Sequence, residues 1–354
     1  MLQKEHLIAF LEALNQLTLE YMEKITTTSD SLTVDGMTPE GRSRLFGLSR
    51  MLDTIRVNLY RLDLFWDLAV AHFVCIANAK NPSLRVYGVE NLSQMILNSF
   101  NYIITHHDAS LKGEEAEESK GNESPSKGNG SPKRVTYIRT GKFSEELWQQ
   151  TLFQPWLDIC NTKFAEMKEA ILSAILKILQ NSGHDINSGG WTAILTIMCE
   201  ISEENLGTSS ITGKSLVAVI SDFILALIGF KCLDKIVNDY LQDLPVDCIT
   251  KLLGVMENFQ KAASNHFFLK STNANPRSTA DNNVSYSSLN MFWNIADFVN
   301  RKQIKEGKSY DYGTIWTNLL EKLSSLCTNR LLEVRHSAIH IFASILVQYS
   351  MSLT

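Results

Sequence analysis

The 354 residues exceed what one ordinary hydrophobic core organises, so the chain is either several small domains or one elongated repeat array. Hydrophobic residues at 44% and charged residues at 20% are globular usage, which excludes a chain disordered throughout. Lys+Arg of 33 against Asp+Glu of 38 gives a net charge of -5, which argues against a nucleic-acid binder, because neutralising phosphates needs a basic face with clustered Lys and Arg.

Met1 to Glu23 is amphipathic, with Lys4, Glu5, Glu12 and Glu20 inside it, so it does not read as a secretory signal and points to a cytosolic protein. Apolar residues recur at helical spacing almost throughout, and strand-like alternation is hard to find. Helices are predicted over about 3–26, 40–57, 58–79, 82–105, 143–154, 156–182, 187–203, 212–230, 232–241, 245–264, 284–303, 311–328 and 331–350. Between them fall Asn81-Pro82, Ser182-Gly183, Ser188-Gly189-Gly190, Leu244-Pro245 and Asn275-Pro276, signals for the short links that join antiparallel neighbours. Ser215 to Phe230 is the most apolar stretch. It carries Asp222 and is shorter than the roughly 20 residues of a bilayer-spanning helix, so it reads as a core helix.

Two interruptions are longer. The run SLKGEEAEESKGNESPSKGNGSPKR has five glutamates and no large apolar residue after Leu111, so it cannot bury enough surface to offset the entropy of ordering. Ser271 to Asn283 is rich in Asn, Ser and Thr. The predicted organisation is helical repeats over 1–107, a disordered acidic insert over 108–138, central repeats over 139–270, a flexible loop over 271–283 and further repeats over 284–354. In the insert, Ser124-Pro125 and Ser131-Pro132 are candidate proline-directed phosphorylation sites whose added charge would gate a partner.

One offset of 250 residues superposes two helix pairs without a gap, Phe65 to Ile96 on Ile315 to Leu346. Trp66 falls on Trp316 and Arg85 on Arg335, while Val70, Phe73, Ile76, Leu84, Val89, Leu92 and Met95 fall on Leu320, Leu323, Leu326, Val334, Ile339, Phe342 and Ile345. The first helix is headed by a large aromatic. The second opens with an apolar residue and Arg, with a small residue (Gly88, Ala338) where the backbones must approach. One such pair cannot bury both faces, so neighbours must stack, which predicts an all-α, HEAT/armadillo-like superhelical repeat of antiparallel helix pairs. Trp191, after a Gly-Gly turn, is expected to head another first helix, and Trp293 a fourth. Arg85 and Arg335 are expected to bond a carboxylate or helix-end carbonyl within the stack.

Catalytic patterns do not emerge. Gly207 to Ser215, GTSSITGKS, has five residues between its glycines where a phosphate-binding loop has four, and a helix precedes it where a strand is required. His336 and His340 share a helix face but lack the intervening acid of a metalloprotease and a third ligand. His106-His107-Asp108 closes a helix, where polar groups meet the dipole. Cys75, Cys160, Cys199, Cys232, Cys248 and Cys327 form no C-x-x-C pair and lie in apolar runs, which predicts buried thiols. No cofactor, metal ion or enzymatic activity is predicted.

The stretches Arg56 to Ile96 and Trp316 to Phe342, together with SGGWTAILTIM at Ser188 to Met198, resemble the large Arf exchange factors downstream of their catalytic domain, and above all the Mon-two family. The resemblance implies an armadillo-like fold, residence on Golgi and endosomal membranes, and a scaffold role in vesicle traffic. It also implies a Dopey-family protein, Arf-like GTPases and an aminophospholipid flippase as partners. The leading expectation is a non-catalytic protein-interaction scaffold module. The alternative is a phosphoinositide-reading, membrane-targeting module using Lys133, Arg134, Arg139 and Lys142, or Arg301, Lys302, Lys305 and Lys308.

Overall fold

The computed structural model describes residues 3–27, 46–118, 143, 147–162, 164–206, 216–273, 279–306, 310–329 and 331–350. These fold into helices, with no strand among the described residues. The chain divides into two compact units, Met1–Pro155 and Trp156–Thr354.

In the first unit α1 (Lys4–Thr27) packs on α2 (Phe46–Val57) and α3 (Leu62–Ala77), and α4 (Pro82–Glu118) packs on α2 and α3. The order is that of stacked hairpins, in which alternate helices form two layers. Asn81 sets the entry to α4, because its Oδ1 accepts from the backbone N–H of Ser83 at 2.9 Å and of Leu84 at 3.3 Å. Pro82 follows as the first helical residue, where its missing N–H costs nothing. Farther along α4, a Cβ on Gly88 would lie 2.6 Å from the backbone N of Ala77, so a bare glycine lets α3 and α4 touch backbone to backbone.

The division between units falls within α5 (Trp148–Cys160). The second unit continues with α6 (Ala165–Ser182), a 3-10 turn over Gly183–Asp185, α7 (Ser188–Leu206), α8 (Leu216–Asp239), α9 (Asp247–Asn273), α10 (Thr279–Glu306), α11 (Tyr312–Leu326) and α12 (Leu332–Gln348). Here α7, α9 and α11 stack on one another as one layer, and α6, α8, α10 and α12 as the other. This two-layer alternation is a HEAT/armadillo-like architecture. Asn187 and Asp311 cap α7 and α11, accepting from the N–H of Gly190 at 2.9 Å and of Thr314 at 3.3 Å.

The repeat offset is built into these elements. α3 begins at Leu62 and α11 at Tyr312, α4 at Pro82 and α12 at Leu332, and each pair differs by 250.

Several boundaries differ from those expected. The break expected at Pro155 is absent: α5 runs through the proline, and the chain turns at Asn161 and Thr162 instead. Complete burial of Phe153 and Trp156 on either side offsets the lost backbone bond. The stop expected near Lys231 is also absent, since Gly229 serves as the seat for the Phe259 ring of α9 and α8 passes through it. Helix α4 continues past His106, whose Nδ1 lies 2.8 Å from the Tyr102 carbonyl one turn back, and reaches Glu118. Ala109, Leu111, Lys112 and the glutamates up to Glu118 are strong helix formers, which extends the helix without an apolar stripe. Helices likewise take 271–273 and 279–283, within the span read as a loop.

Candidate functional site

Trp66 is buried in α3 and meets Phe143 edge-on, with centroids 5.4 Å apart at 84°. Trp316 holds the equivalent place in α11. Its Nε1–H donates to Gln303 Oε1 of α10 at 2.8 Å, and its ring lies 5.7 Å from Tyr349. Trp191 is fully buried near the start of α7 against Tyr240, at 5.9 Å, with its Nε1–H unpartnered. Trp293 differs from expectation. It lies in the middle of α10, in the layer of α8 and α12, and so heads no first helix.

The two arginines make the same bond at the same offset. Arg85 donates from Nη1 to the carbonyls of Ala79 at 3.2 Å and Lys80 at 2.8 Å. Arg335 donates from Nη1 to the carbonyl of Asn329, the counterpart of Ala79, at 2.8 Å. Each guanidinium satisfies carbonyls left open where the first helix of its pair ends, and places positive charge at that end of the dipole. Ser124 and Ser131 lie outside the described residues, as do Gly207–Ser215, Lys133, Arg134, Arg139, Lys142 and Lys308.

Sequence reading missed a polar ladder that crosses α7, α9 and α11. Thr192 Oγ1 lies 3.6 Å from Cys248 Sγ, and Lys251 Nζ donates to Thr196 Oγ1 at 2.8 Å. Asn258 Nδ2 donates to Ser202 Oγ at 3.2 Å, and Asn329 Nδ2 to Ser264 Oγ at 3.0 Å. Between Lys251 and Asn258, on the same face of α9, stands Gly254, with nothing within 4 Å of where its Cβ would be. The result is a recess floored by bare backbone and flanked by an ammonium and a carboxamide. Beside it Glu257 is only 5% exposed, yet it binds both Lys261 at 2.7 Å and Lys322 of α11 at 2.8 Å. Burial pushes its carboxyl up, but hydrogen bonds from Lys261, Lys322 and Ser325 outweigh this and hold it below the ordinary value. Polar residues recurring along one face of α7 and of α9 (Thr192, Thr196 and Ser202; Lys251, Asn258 and Ser264) were the available signal. It could not show that the two faces meet.

Other candidates resolve into structure. His336 and His340 are exposed, and no group of three or more His, Cys, Asp or Glu among the described residues is placed to hold a metal ion. Arg301 pairs with Asp297 at 2.8 Å, and Lys302 sits over the Phe298 ring at 5.6 Å, so part of the expected basic patch is occupied within α10. Cys160, Cys232 and Cys248 are buried and Cys199 and Cys327 half-buried, but Cys75 is exposed, because Phe73 and Ile76 take the core face of α3. Burial raises the thiols of Cys232 and Cys199 to about 12, with the hydrogen bond to Glu203 adding to the effect at Cys199. Among the described residues no helix is long and apolar enough to cross a membrane.

Two layers of helices in stacked pairs, with a polar ladder along one layer, define a HEAT/armadillo-like helical repeat protein. Comparison with known proteins places it further. Residues 136–216 match the family model described as Mon2/Sec7/BIG1-like, HDS. The chain is 22% identical over 312 residues to "Protein MON2 homolog" of Drosophila melanogaster, covering 83% of this chain and 14% of that protein. It is 21% identical over 316 residues to "Monensin-resistant homolog 2" of Caenorhabditis elegans, covering 89% and 15%. "Protein MON2 homolog" of Homo sapiens is 20% identical over 320 residues, covering 83% and 15%. The chain spans only 14% to 15% of the length of these relatives. No solved structure matches.

Proposed function

We propose that the chain is a non-catalytic protein-interaction scaffold module of a large protein of Golgi-to-endosome membrane traffic, cytoplasmic and peripheral on those membranes. The Mon2-like relatives support the setting, and the ladder over α7, α9 and α11 carries the mode of action. A helix surface of threonines, asparagines and lysines around the Gly254 recess offers donors and acceptors to the backbone of an extended segment of a partner. Glu257 and its two lysines fix the spacing of α9 and α11, so the surface is formed before a partner arrives. The partners proposed are a Dopey-family protein, an Arf-like GTPase and a flippase. Phosphorylation of Ser124 and Ser131 would add charge to the insert and regulate access.

The test uses the chain as bait for these three partners, each produced separately, beside a Gly254→Trp variant that fills the recess. At least one partner binds the parent chain, and Gly254→Trp weakens that binding with the helical signal unchanged. Equal binding by both proteins would remove the ladder from the interface. Salt-sensitive flotation with anionic liposomes and no partner binding would favour the membrane-targeting alternative. Acceleration of nucleotide release from an Arf-type GTPase would overturn the non-catalytic reading.

A further inference from the structure

Apart from Val347, the most exposed large apolar side chains among the described residues are Ile304 at 74% and Val57 at 72%. They occupy the same part of the repeat. Val57 ends α2, the helix before α3, and Ile304 lies in the last turn of α10, the helix before α11. In the connection that follows, Tyr60 falls on Tyr310 at the same offset of 250 that relates Trp66 to Trp316. Tyr310 is 36% exposed and Tyr60 half-buried. These connections lie along the edge of a two-layer stack, where the chain reverses. A further repeat would stack on the helix faces and leave such an edge open.

Each aliphatic side chain stands beside a cation. Arg56 precedes Val57 and Lys305 follows Ile304; both are exposed, and neither makes an ion pair among the described residues. Arg61 lies over the Tyr60 ring, 5.0 Å from its centre. Acids close by are engaged elsewhere. Asp53 pairs with Arg50 at 3.1 Å, Asp297 with Arg301 at 2.8 Å, and Asp311 caps α11. Along the sequence, Arg50 to Arg61 holds three cations and one acid, and Arg301 to Lys308 four and one, in a chain of net charge -5. Both places are therefore locally positive.

A single projecting aliphatic side chain is too small to form the buried centre of a protein interface. Beside a free cation and a tyrosine, it matches the boundary of an anionic bilayer. There headgroups meet the cation, acyl chains take the aliphatic tip, and a tyrosine ring settles between the two. We propose that the α2 to α3 and α10 to α11 connections are membrane contacts, in which Val57 and Ile304 enter an anionic lipid surface while Arg56 and Lys305 bind its headgroups. This rests on the peripheral-membrane part of the proposed function, names the residues that make the contact, and does not depend on the Gly254 recess.

Vesicle flotation tests it, with phosphatidylcholine alone and with phosphatidylcholine containing phosphatidylserine. The parent chain should float with the anionic vesicles and not with the neutral ones, and added salt should release it. Two variants alter both places at once: Arg56→Glu with Lys305→Glu, and Val57→Ser with Ile304→Ser. All four positions are exposed, and circular dichroism verifies that helical content is kept. Each double variant should bind on the order of tenfold more weakly or worse, and the aliphatic pair does so with every charge retained, which separates insertion from attraction alone. Gly254→Trp should float like the parent. A parent chain that stays off anionic vesicles would overturn this inference, and partner binding by the same chain would leave the scaffold reading intact. Flotation undiminished in either double variant would equally overturn it. So would soluble polyglutamate that binds as tightly as the vesicles and fails in the same variants, which would assign these places to an acidic protein.

Discussion

Lowering the pH should weaken the first unit through one histidine. His72 of α3 is 1% exposed, and its Nδ1 lies 2.7 Å from Asn15 Oδ1 of α1. An amide oxygen only accepts, so Nδ1 carries the proton. Nε2 is left buried without a partner, and a second proton there would add charge with nothing to receive it. Burial therefore lowers the imidazole from 6.5 to about 4. The folded value lies below the unfolded one, so the histidine's contribution is complete above the unfolded value and falls as pH drops from 6.5 towards 4. The interval from 6.5 to about 4 corresponds to about 3 kcal/mol, of which about 2 kcal/mol is lost by about pH 5. Urea unfolding of the parent chain and of His72→Leu, followed by circular dichroism at about pH 7.5 and about pH 5, isolates this term because the two proteins share every other titrating group. The parent chain should lose about 2 kcal/mol more than the variant between the two conditions. If the two proteins lose stability in parallel, His72 is not held neutral by burial and the reasoning fails.

Further outcomes follow from other packed groups. Trp66→Ala and Trp316→Ala should each cost roughly 3 to 5 kcal/mol by leaving a cavity, read as lower denaturant midpoints, and unchanged midpoints would contradict their placement in the stack. Glu257→Gln leaves Lys261 and Lys322 without a carboxylate and should destabilise the second unit at neutral pH. Because the folded carboxyl lies below its ordinary value, this deficit should shrink as acid protonates the parent glutamate, and a deficit constant with pH would refute it. With a colourimetric disulfide reagent under native conditions, Cys75 should react first and Cys232 last, and prompt labelling of Cys232 would mean that α8 opens readily.

The repeat was legible because it depends on identity along the chain. Trp66 and Trp316, Arg85 and Arg335, and the starts of α3 and α11 are fixed by one offset, and the arginine bonds reach only from residue 85 to 79 and from 335 to 329. Local physics governs them, so local patterns reveal them. Trp293 was misplaced for the converse reason. Its aromatic neighbours resemble those of a helix start, but where α10 begins is decided upstream, at Thr279. The helix breaks expected at 155 and 231 are absent because tertiary burial of Phe153, Trp156 and Phe259 overrides local preference.

The ladder was illegible in principle. Lys251 finds Thr196 and Asn258 finds Ser202 across separations of 55 and 56 residues, and that spacing is set by the summed lengths of two helices and their turns. A repeat that tolerates helices as unequal as α11 and α9 has no constant period between successive layers, so no single offset could expose the pairing. The side chains that stack the array are therefore readable from sequence, while the polar pairs that join neighbouring helices of one layer become visible only once the helices are laid side by side.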